Sequence, residues 1–467
     1  MSSKRSWETY SITFCSKEIK ILTNWIKTGQ SGSVIGLAGA GKSNLLGFLC
    51  HRSDAIRRYL KDDSLKTVVV LVDLNNLPAE DPATFFRVVL RSIYETSSQL
   101  NSIDEALFET VKILYRKVEE KTDPFLIHSA LREALFTFQE QHIRLVLVLD
   151  PFDKLARSAP TVIFDNLRGL RDGFKTTLTY IVGLRSELVY IRAPLEFGEL
   201  FEILDTHQCW VSPLTPEDAR YSISQIEEAT GKSFNEQQVK HLIHLTGGYP
   251  ALLRAATLWL AKVSLVPHIA LWEKQLLNES SIQNRVNDIW QGLTKEEQAT
   301  LVDLAIALEE LNDIQHEITR QIEKKNKPTL TTLQAKYLCS RVDETWQIFS
   351  PLFAKSIAKL SKRGDTGKIW CNAQGSQFFR GETELTDLSP QDRRLLNYFL
   401  EHPHVVHTTD ELLDAVWNGD EVDGISVVPQ AIRQLRKRIE PDPAAPVYIV
   451  TVRKSGYRFF HNGAPRG

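Results

Sequence analysis

The octet Gly36-Leu37-Ala38-Gly39-Ala40-Gly41-Lys42-Ser43 has the GxxxxGK[ST] spacing that cradles nucleotide phosphates. Gly36, Gly39 and Gly41 let the backbone wrap phosphates without Cβ clashes, and Ala40 and Asn44 complete the cradle. Lys42 is spaced to reach the β- and γ-phosphates, and the Ser43 hydroxyl to ligate Mg²⁺. A second element of this chemistry is the apolar run that closes on Asp150, a carboxylate suited to holding Mg²⁺ beside such a loop. A carboxylate in the next position would orient or deprotonate an attacking water, but Pro151 stands there and can do neither. Asp153 is the nearest replacement, so slow turnover is expected, with the nucleotide acting as a switch state. Arg185 ends a further apolar run and is expected to point at the γ-phosphate and report its presence.

These side chains need a scaffold, and the sequence supplies one. Val34-Ile35 leads into the loop as a short buried strand, and Asn44–Leu49 leads out as a helix, aiming backbone N–H groups at one point. Apolar runs at 67–73, 144–150 and 179–185 predict three further strands, with a helix over 82–95. Strands alternating with helices predict a parallel sheet covered on both faces, with the ligand at the carboxyl ends of the strands.

At 467 residues the chain is too long for one core, and several domains are expected. No stretch approaches the roughly 20 apolar residues that span a bilayer. The first ten residues lack an apolar signal core, so no membrane partner and a cytoplasmic location are expected. The five cysteines are scattered without a CxxC pair and read as reduced thiols, and the 12 histidines are dispersed. Metal catalysis, a Ser/His/Asp site and redox chemistry therefore find no support. Net charge is only −2, so any nucleic-acid surface must be local.

Residues 213–262 read as amphipathic helices broken by LTGGYPALL, where Gly247-Gly248 end one helix and Pro250 opens the next. The order of phosphate loop, strand ending in Asp, strand ending in Arg and then GGYP resembles the STAND class of P-loop NTPases, related to AAA+ and Orc/Cdc6-type ATPases. The resemblance covers roughly residues 16–360. It implies that Gly248 and Pro250 pack by the nucleotide and that the helices form a lid. It implies too that the following block, with helices at 294–309 and 329–338 and a strand at 344–349, is a winged helix of structural role.

The C-terminal hundred residues show a different pattern. Short strands at 368–371 and 376–380 precede a helix capped by Ser389 or Asp387, a second helix over 408–417, a third over 426–440 and a hairpin over 448–460. On the third helix Ile432, Leu435 and Ile439 share one face, while Gln430, Arg433, Gln434 and Lys437 share another. Amide and guanidinium groups read base edges in the major groove. From Ser426 to Phe460 the bases, Arg438, Arg453 and Lys454 among them, outnumber the acids Glu440 and Asp442, whereas 381–424 is acidic. The motifs LSPQDRRLL, ELLDAVW, IRQLRKRIE and TVRKSGYRF closely resemble the OmpR/PhoB-type winged helix, particularly its CadC/ToxR variant.

The expected fold is multidomain: an α/β P-loop NTPase with a parallel sheet, a helical lid and two winged-helix domains. The expected boundaries are 1–15 for an N-terminal arm, 16–205 for the NTPase domain and 206–280 for the lid. The first winged helix follows at 281–362 and the DNA-binding one at 363–467. The expected function is a regulator switched by ATP/ADP with Mg²⁺ that binds duplex DNA. A nucleotide-dependent homo-oligomer and a protein activator or inhibitor, met through the irregular stretch 314–330 or the arm, are expected partners. The alternatives are an ATPase of a signalling or defence assembly whose C-terminal module binds protein, and an Orc/Cdc6-like loader, disfavoured by Pro151.

Overall fold

The computed structural model describes residues 6–61, 66–96, 104–263, 265–308, 312–342, 345–362, 369–372, 376–381, 383–403, 405–417, 427–444, 446–452 and 455–460. The chain divides into two compact units, Met1–Ser356 and Ile357–Gly467.

The first unit is built on a sheet of five parallel strands: β1 (Gly32–Ile35), β2 (Lys66–Asp73), β3 (Ile143–Asp150), β4 (Leu178–Leu184) and β5 (Gln208–Trp210). Their order is β2-β3-β4-β1-β5. Every residue of β1, β3 and β4 is buried, as a parallel sheet covered on both faces demands. Pairing runs Asp73 opposite Asp150 at one end, and Ile35 opposite both Leu184 and Trp210. All five strands therefore finish along one rim. Strand β5 corrects the expected lid boundary at residue 206, because these three residues still belong to the sheet.

Between β2 and β3 stand helices Pro82–Glu95, Glu105–Val118 and Pro124–Glu140. Each is opened by an aspartate side chain, Asp81, Asp104 or Asp123, that accepts a backbone N–H of the first turn. They bury Phe85, Phe86, Ile127 and Phe138 in the core shared with the sheet.

Beyond β5 come helices Pro216–Thr230, Glu236–Thr246, Pro250–Lys262, Ser280–Trp290 and Lys295–Ala307. Thr294 and Glu297 form a reciprocal capping box at the last of these. The expected irregular stretch 314–330 is instead helical within Asn312–Ala335, broken at Asn326 (φ −121°, ψ 26°). Pro328 explains the break, since it lacks the N–H that a continuous helix needs. Tyr337, at φ 57°, ends the helix and lets Leu338 N–H reach the Leu333 carbonyl at 2.9 Å. An antiparallel hairpin, β6 (Cys339–Val342) and β7 (Thr345–Ile348), follows, then the helix Pro351–Lys362.

Lys336 fixes this region to the sheet. Its side chain is 2% exposed, with Nζ 2.7 Å from Glu297 and 3.4 Å from Glu187, on the segment that follows β4. The ammonium also stands 5.2 Å from the centre of the Trp210 ring, at the end of β5.

The second unit has a sheet of β8 (Ile369–Cys371), β9 (Phe378–Arg380) and β10 (Thr383–Glu384), then helix Pro390–Glu401. Of the two expected caps, Ser389 is the one used, in a capping box with Asp392. Strand β11 (Val406–His407), helices Thr409–Trp417 and Val427–Ile439, and the hairpin β12 (Ile449–Val452) and β13 (Gly456–Phe459) complete it. Strand β11 pairs with β13, so the second sheet runs β11-β13-β12. Leu395, Phe399, Leu412, Ile432, Leu435 and Phe459 form its core.

Truncating Lys336 to alanine strands two carboxylates in a buried site, so Lys336→Ala is expected to cost about 3–5 kcal/mol. A lowered urea midpoint, read by tryptophan fluorescence of the full chain, checks this. A midpoint equal to wild type would mean the pair is not buried.

Candidate functional site

The phosphate loop fills the turn from β1 to helix Lys42–His51, at the rim where the strands end. Gly36 N–H donates to the Leu184 carbonyl of β4 at 3.0 Å, and Ala40 N–H to the Leu37 carbonyl at 3.0 Å. Gly39 and Gly41 take φ of 78° and 93°, left-handed conformations that a side chain would strain. The first N–H groups of a helix have no partner within it, which suits those of Lys42 and Ser43 to an anion, whereas Asn44 N–H donates to the Gly41 carbonyl at 3.0 Å.

Lys42 and Asp150 form a buried ion pair, at 8% and 9% exposure. Ser43 Oγ donates to the other carboxylate oxygen of Asp150 at 3.1 Å. The two residues expected to ligate Mg²⁺ thus face each other directly. Both are hard oxygen donors, which fits a cation that takes its remaining ligands from water and phosphate. Among the described residues no cluster of three His, Cys, Asp or Glu could hold a metal unaided.

Asp153 Oδ1 accepts the backbone N–H of Arg185 at 2.7 Å, joining the segments that leave β3 and β4. Its other oxygen is buried and takes no hydrogen bond. The Arg185 side chain is exposed at the same rim. Pro151 follows Asp150 through a cis peptide bond.

Pro250 also reaches the loop, whereas the expected partner Gly248 lies against Leu214 instead. A Cβ on Gly41 would stand 3.2 Å from Pro250 Cγ. Ala251 N–H donates to the Gly39 carbonyl at 3.1 Å, and the Tyr249 hydroxyl to the Ala38 carbonyl at 2.8 Å. Gly248 is held through its carbonyl, which accepts Leu214 N–H at 3.0 Å. Tyr249 is 5% exposed, and burial together with the nearby Asp288 carboxylate pushes its phenol well above the usual tyrosine range. It therefore stays a proton donor.

Two site residues escaped sequence reasoning. Gly183, next to the last residue of β4, lies under the ion pair, and a Cβ there would overlap Asp150 Oδ1 and reach 2.9 Å from Leu46. A glycine inside an apolar strand is the signal that something approaches closely. Tyr249 is the other, and its only signal was its place within GGYP.

In the second unit, helix Val427–Ile439 buries Val428, Ile432, Leu435 and Ile439. Gln430, Arg433, Gln434 and Lys437 are exposed together on its other side, as the spacing predicts. Arg438 is committed elsewhere, in an ion pair with the buried Asp392 at the start of helix Pro390–Glu401. Arg436, half-buried, donates to the Ile449 carbonyl and to Thr451 Oγ1 at 2.9 Å each. Arg453 and Lys454 lie outside the described residues.

Comparison with known proteins bears on both units. The family profile described as Novel STAND NTPase 1 matches residues 16–347, and that described as Transcriptional regulatory protein, C terminal, matches 382–459. Transcriptional regulatory protein YvrH of Bacillus subtilis (strain 168) is 46% identical over 79 residues, 17% of this chain and 33% of that protein. Phosphate regulon transcriptional regulatory protein PhoB of Shigella flexneri is 29% identical over 124 residues, 27% and 51% of the two chains. The chain spans about a third of the length of the first curated relatives it matches. Among solved structures, the Walker-type ATPase PABY2304 of Pyrococcus abyssi has 12% identity and a TM-score of 0.42, covering 73% of this chain and 94% of that one. The DNA-binding domain of E. coli CadC has 37% identity and a TM-score of 0.19, covering 21% and 90%.

Gly183→Ala is expected to push the Asp150 carboxylate off Lys42 and Ser43 while leaving the loop backbone in place. ADP titrations with and without Mg²⁺ check this: the gain in affinity that Mg²⁺ gives the wild type should disappear. An unchanged gain would mean that Asp150 has no part in holding the metal.

Proposed function

Because the chain belongs to the Novel STAND NTPase 1 family and ends in an OmpR/PhoB-type DNA-binding domain, we propose that it is a nucleotide-switched transcriptional regulator. The observation that carries this reading is the buried Lys42–Asp150–Ser43 contact in a chain that also exposes Gln430, Arg433, Gln434 and Lys437 on one helix.

ATP or ADP is taken between the sheet rim and the helical segment Pro216–Lys262, which serves as a lid. Lys42 turns from Asp150 to the β- and γ-phosphates, and the loop amides take the remaining phosphate oxygens. Ser43 and Asp150 would hold Mg²⁺, which would neutralise phosphate charge. Asp153 stands in for the missing second acid and is held for that role by the Arg185 amide, while the Arg185 guanidinium senses the γ-phosphate. Turnover is slow because Pro151 offers no base. The two nucleotides therefore define states, and each biases the conformation that it binds better.

The block from Ser280 to Lys362, helices followed by the β6–β7 hairpin, acts as a winged helix of structural role that transmits the state. In the C-terminal domain Gln430, Arg433, Gln434 and Lys437 enter the major groove, with Arg453 and Lys454 reaching phosphate or the minor groove. Arg438 holds the domain together through Asp392. Homo-oligomerisation in one nucleotide state and a protein activator or inhibitor complete the switch.

The test is duplex affinity of the full chain for its own upstream region across a salt series, with ADP or an ATP analogue. Arg433→Ala is expected to weaken specific binding by about 1–3 kcal/mol, and Lys437→Ala to lower the salt slope by about 1. Lys42→Ala should erase the difference between nucleotides. DNA binding indifferent to nucleotide would make the two ends independent modules. No DNA binding in any state would favour a signalling or defence assembly whose C-terminal module binds protein.

A further inference from the structure

The turn Gly247–Ala251 grips the phosphate loop by its carbonyls. Tyr249 Oη donates to the Ala38 carbonyl at 2.8 Å, and Ala251 N–H to the Gly39 carbonyl at 3.1 Å. Contact is so close that a Cβ on Gly39 would overlap that of Ala251. The C=O and N–H of one peptide unit point in opposite directions. Anchoring the Ala38 carbonyl therefore fixes the direction of the Gly39 N–H. Anchoring the Gly39 carbonyl does the same for Ala40, whose N–H closes the loop onto Leu37. The turn thus sets, from behind, the Gly39 amide that would face phosphate and the Ala40 amide that closes the loop.

The same turn has a second contact. Gly247 takes φ 59° and lies against the Phe349 backbone, where a Cβ would overlap the Phe349 carbonyl. Ser350 Oγ donates to the Leu245 carbonyl at 2.8 Å. Ring centres of Tyr249 and Phe349 are 5.5 Å apart, and those of Phe349 and Phe353 5.2 Å. Phe353 sits in the helix Pro351–Lys362, through which the chain passes into its second unit.

We infer that Tyr249 is a positioning residue that orients the phosphate loop and ties its conformation to Phe349 and the helix Pro351–Lys362. The inference rests on the reading of the loop as a nucleotide site. Its physical content is linkage: whatever the loop gains from the Tyr249 hydroxyl, the turn gains from an ordered loop. Nucleotide that reorders the Ala38 and Gly39 peptides must load or release the turn, and the turn cannot shift without moving Phe349.

Tyr249→Phe removes one hydroxyl and keeps the ring. The full-length wild type, Tyr249→Phe, Ser350→Ala and Lys42→Ala proteins are titrated with ADP and with inorganic tripolyphosphate, both with Mg²⁺. Hydrogen exchange over Thr345–Ala354 is then followed at saturating ADP. Tyr249→Phe should bind both ligands about five- to tenfold more weakly, because ordering the Ala38 and Gly39 peptides then falls to the ligand, and its unliganded melting midpoint should drop slightly, since the same hydrogen bond holds the unliganded fold. At saturation it should lose the ADP-induced exchange change that the wild type shows, which a merely structural role would leave in place. Ser350→Ala keeps the loop contacts, so its tripolyphosphate affinity should stay near wild type while its exchange response is blunted. Wild-type affinity and a full exchange response in Tyr249→Phe would overturn the inference while leaving the nucleotide site standing. A wild type that binds neither ligand, like Lys42→Ala, would overturn both.

Discussion

The buried pair between Lys42 and Asp150 is the constraint around which the first unit is arranged. An ammonium withdrawn from water needs a counter-charge, and one stripped of it costs several kcal/mol. Asp150 reaches Lys42 from two strands away, since β4 lies between β1 and β3. That reach is open only because β4 presents Gly183 at the crossing. The register of three strands, one glycine and the phosphate loop therefore depend on one contact. A buried ion pair is also close to neutral in net energy, because desolvation offsets most of its attraction. Lys42 can thus exchange Asp150 for a phosphate without a large penalty, which is what a reversible nucleotide site requires.

A second buried cation has the opposite character. Lys336 sits between Glu297 and Glu187 against the face of Trp210, with no ligand to take their place. It holds the region after the helices to the end of β5 and to the segment leaving β4. That segment also carries Arg185, whose amide is bound by Asp153. The rim that would sense phosphate and the contact that fixes the later helices are two residues apart in sequence. The stiffness of one is a condition for the other to transmit anything.

The strands and the polar face of helix Val427–Ile439 were legible because each is written as a periodicity, and the phosphate loop because its motif is contiguous. Apolar runs of seven or eight residues mark β2, β3 and β4, and i, i+3, i+4, i+7 spacing separates Ile432 and Leu435 from Arg433 and Gln434. Strand β5 was not legible, because Gln208-Cys209-Trp210 is too short to carry a period. Nor was the helix beginning at Asn312, whose Pro328 reads as a terminator and is instead a kink. Tyr249 and Gly183 acquire meaning only from partners far along the chain, Ala38 and Asp150, which no local pattern contains. Counting bases misled in a related way. Arg436 and Arg438 belong to the basic run, yet one supports β12 and the other caps Asp392.

That internal use of arginine changes what the C-terminal domain can do alone. On helix Val427–Ile439 the exposed Arg433 and Lys437 stand beside the amides Gln430 and Gln434, while Arg438 is tied to Asp392. Non-specific affinity comes from neutralised phosphates, with a salt slope near 0.9 per contact, so such a helix attracts duplex weakly. Amide and guanidinium groups can take base edges as well as phosphate oxygens. A chain with a net charge of −2 adds no general attraction. Under the proposed function, stable occupancy then depends on presenting two readers to one duplex, where the second binds at the effective concentration set by the first. On that reading DNA binding would answer to assembly, and assembly is what a change at the phosphate loop would control.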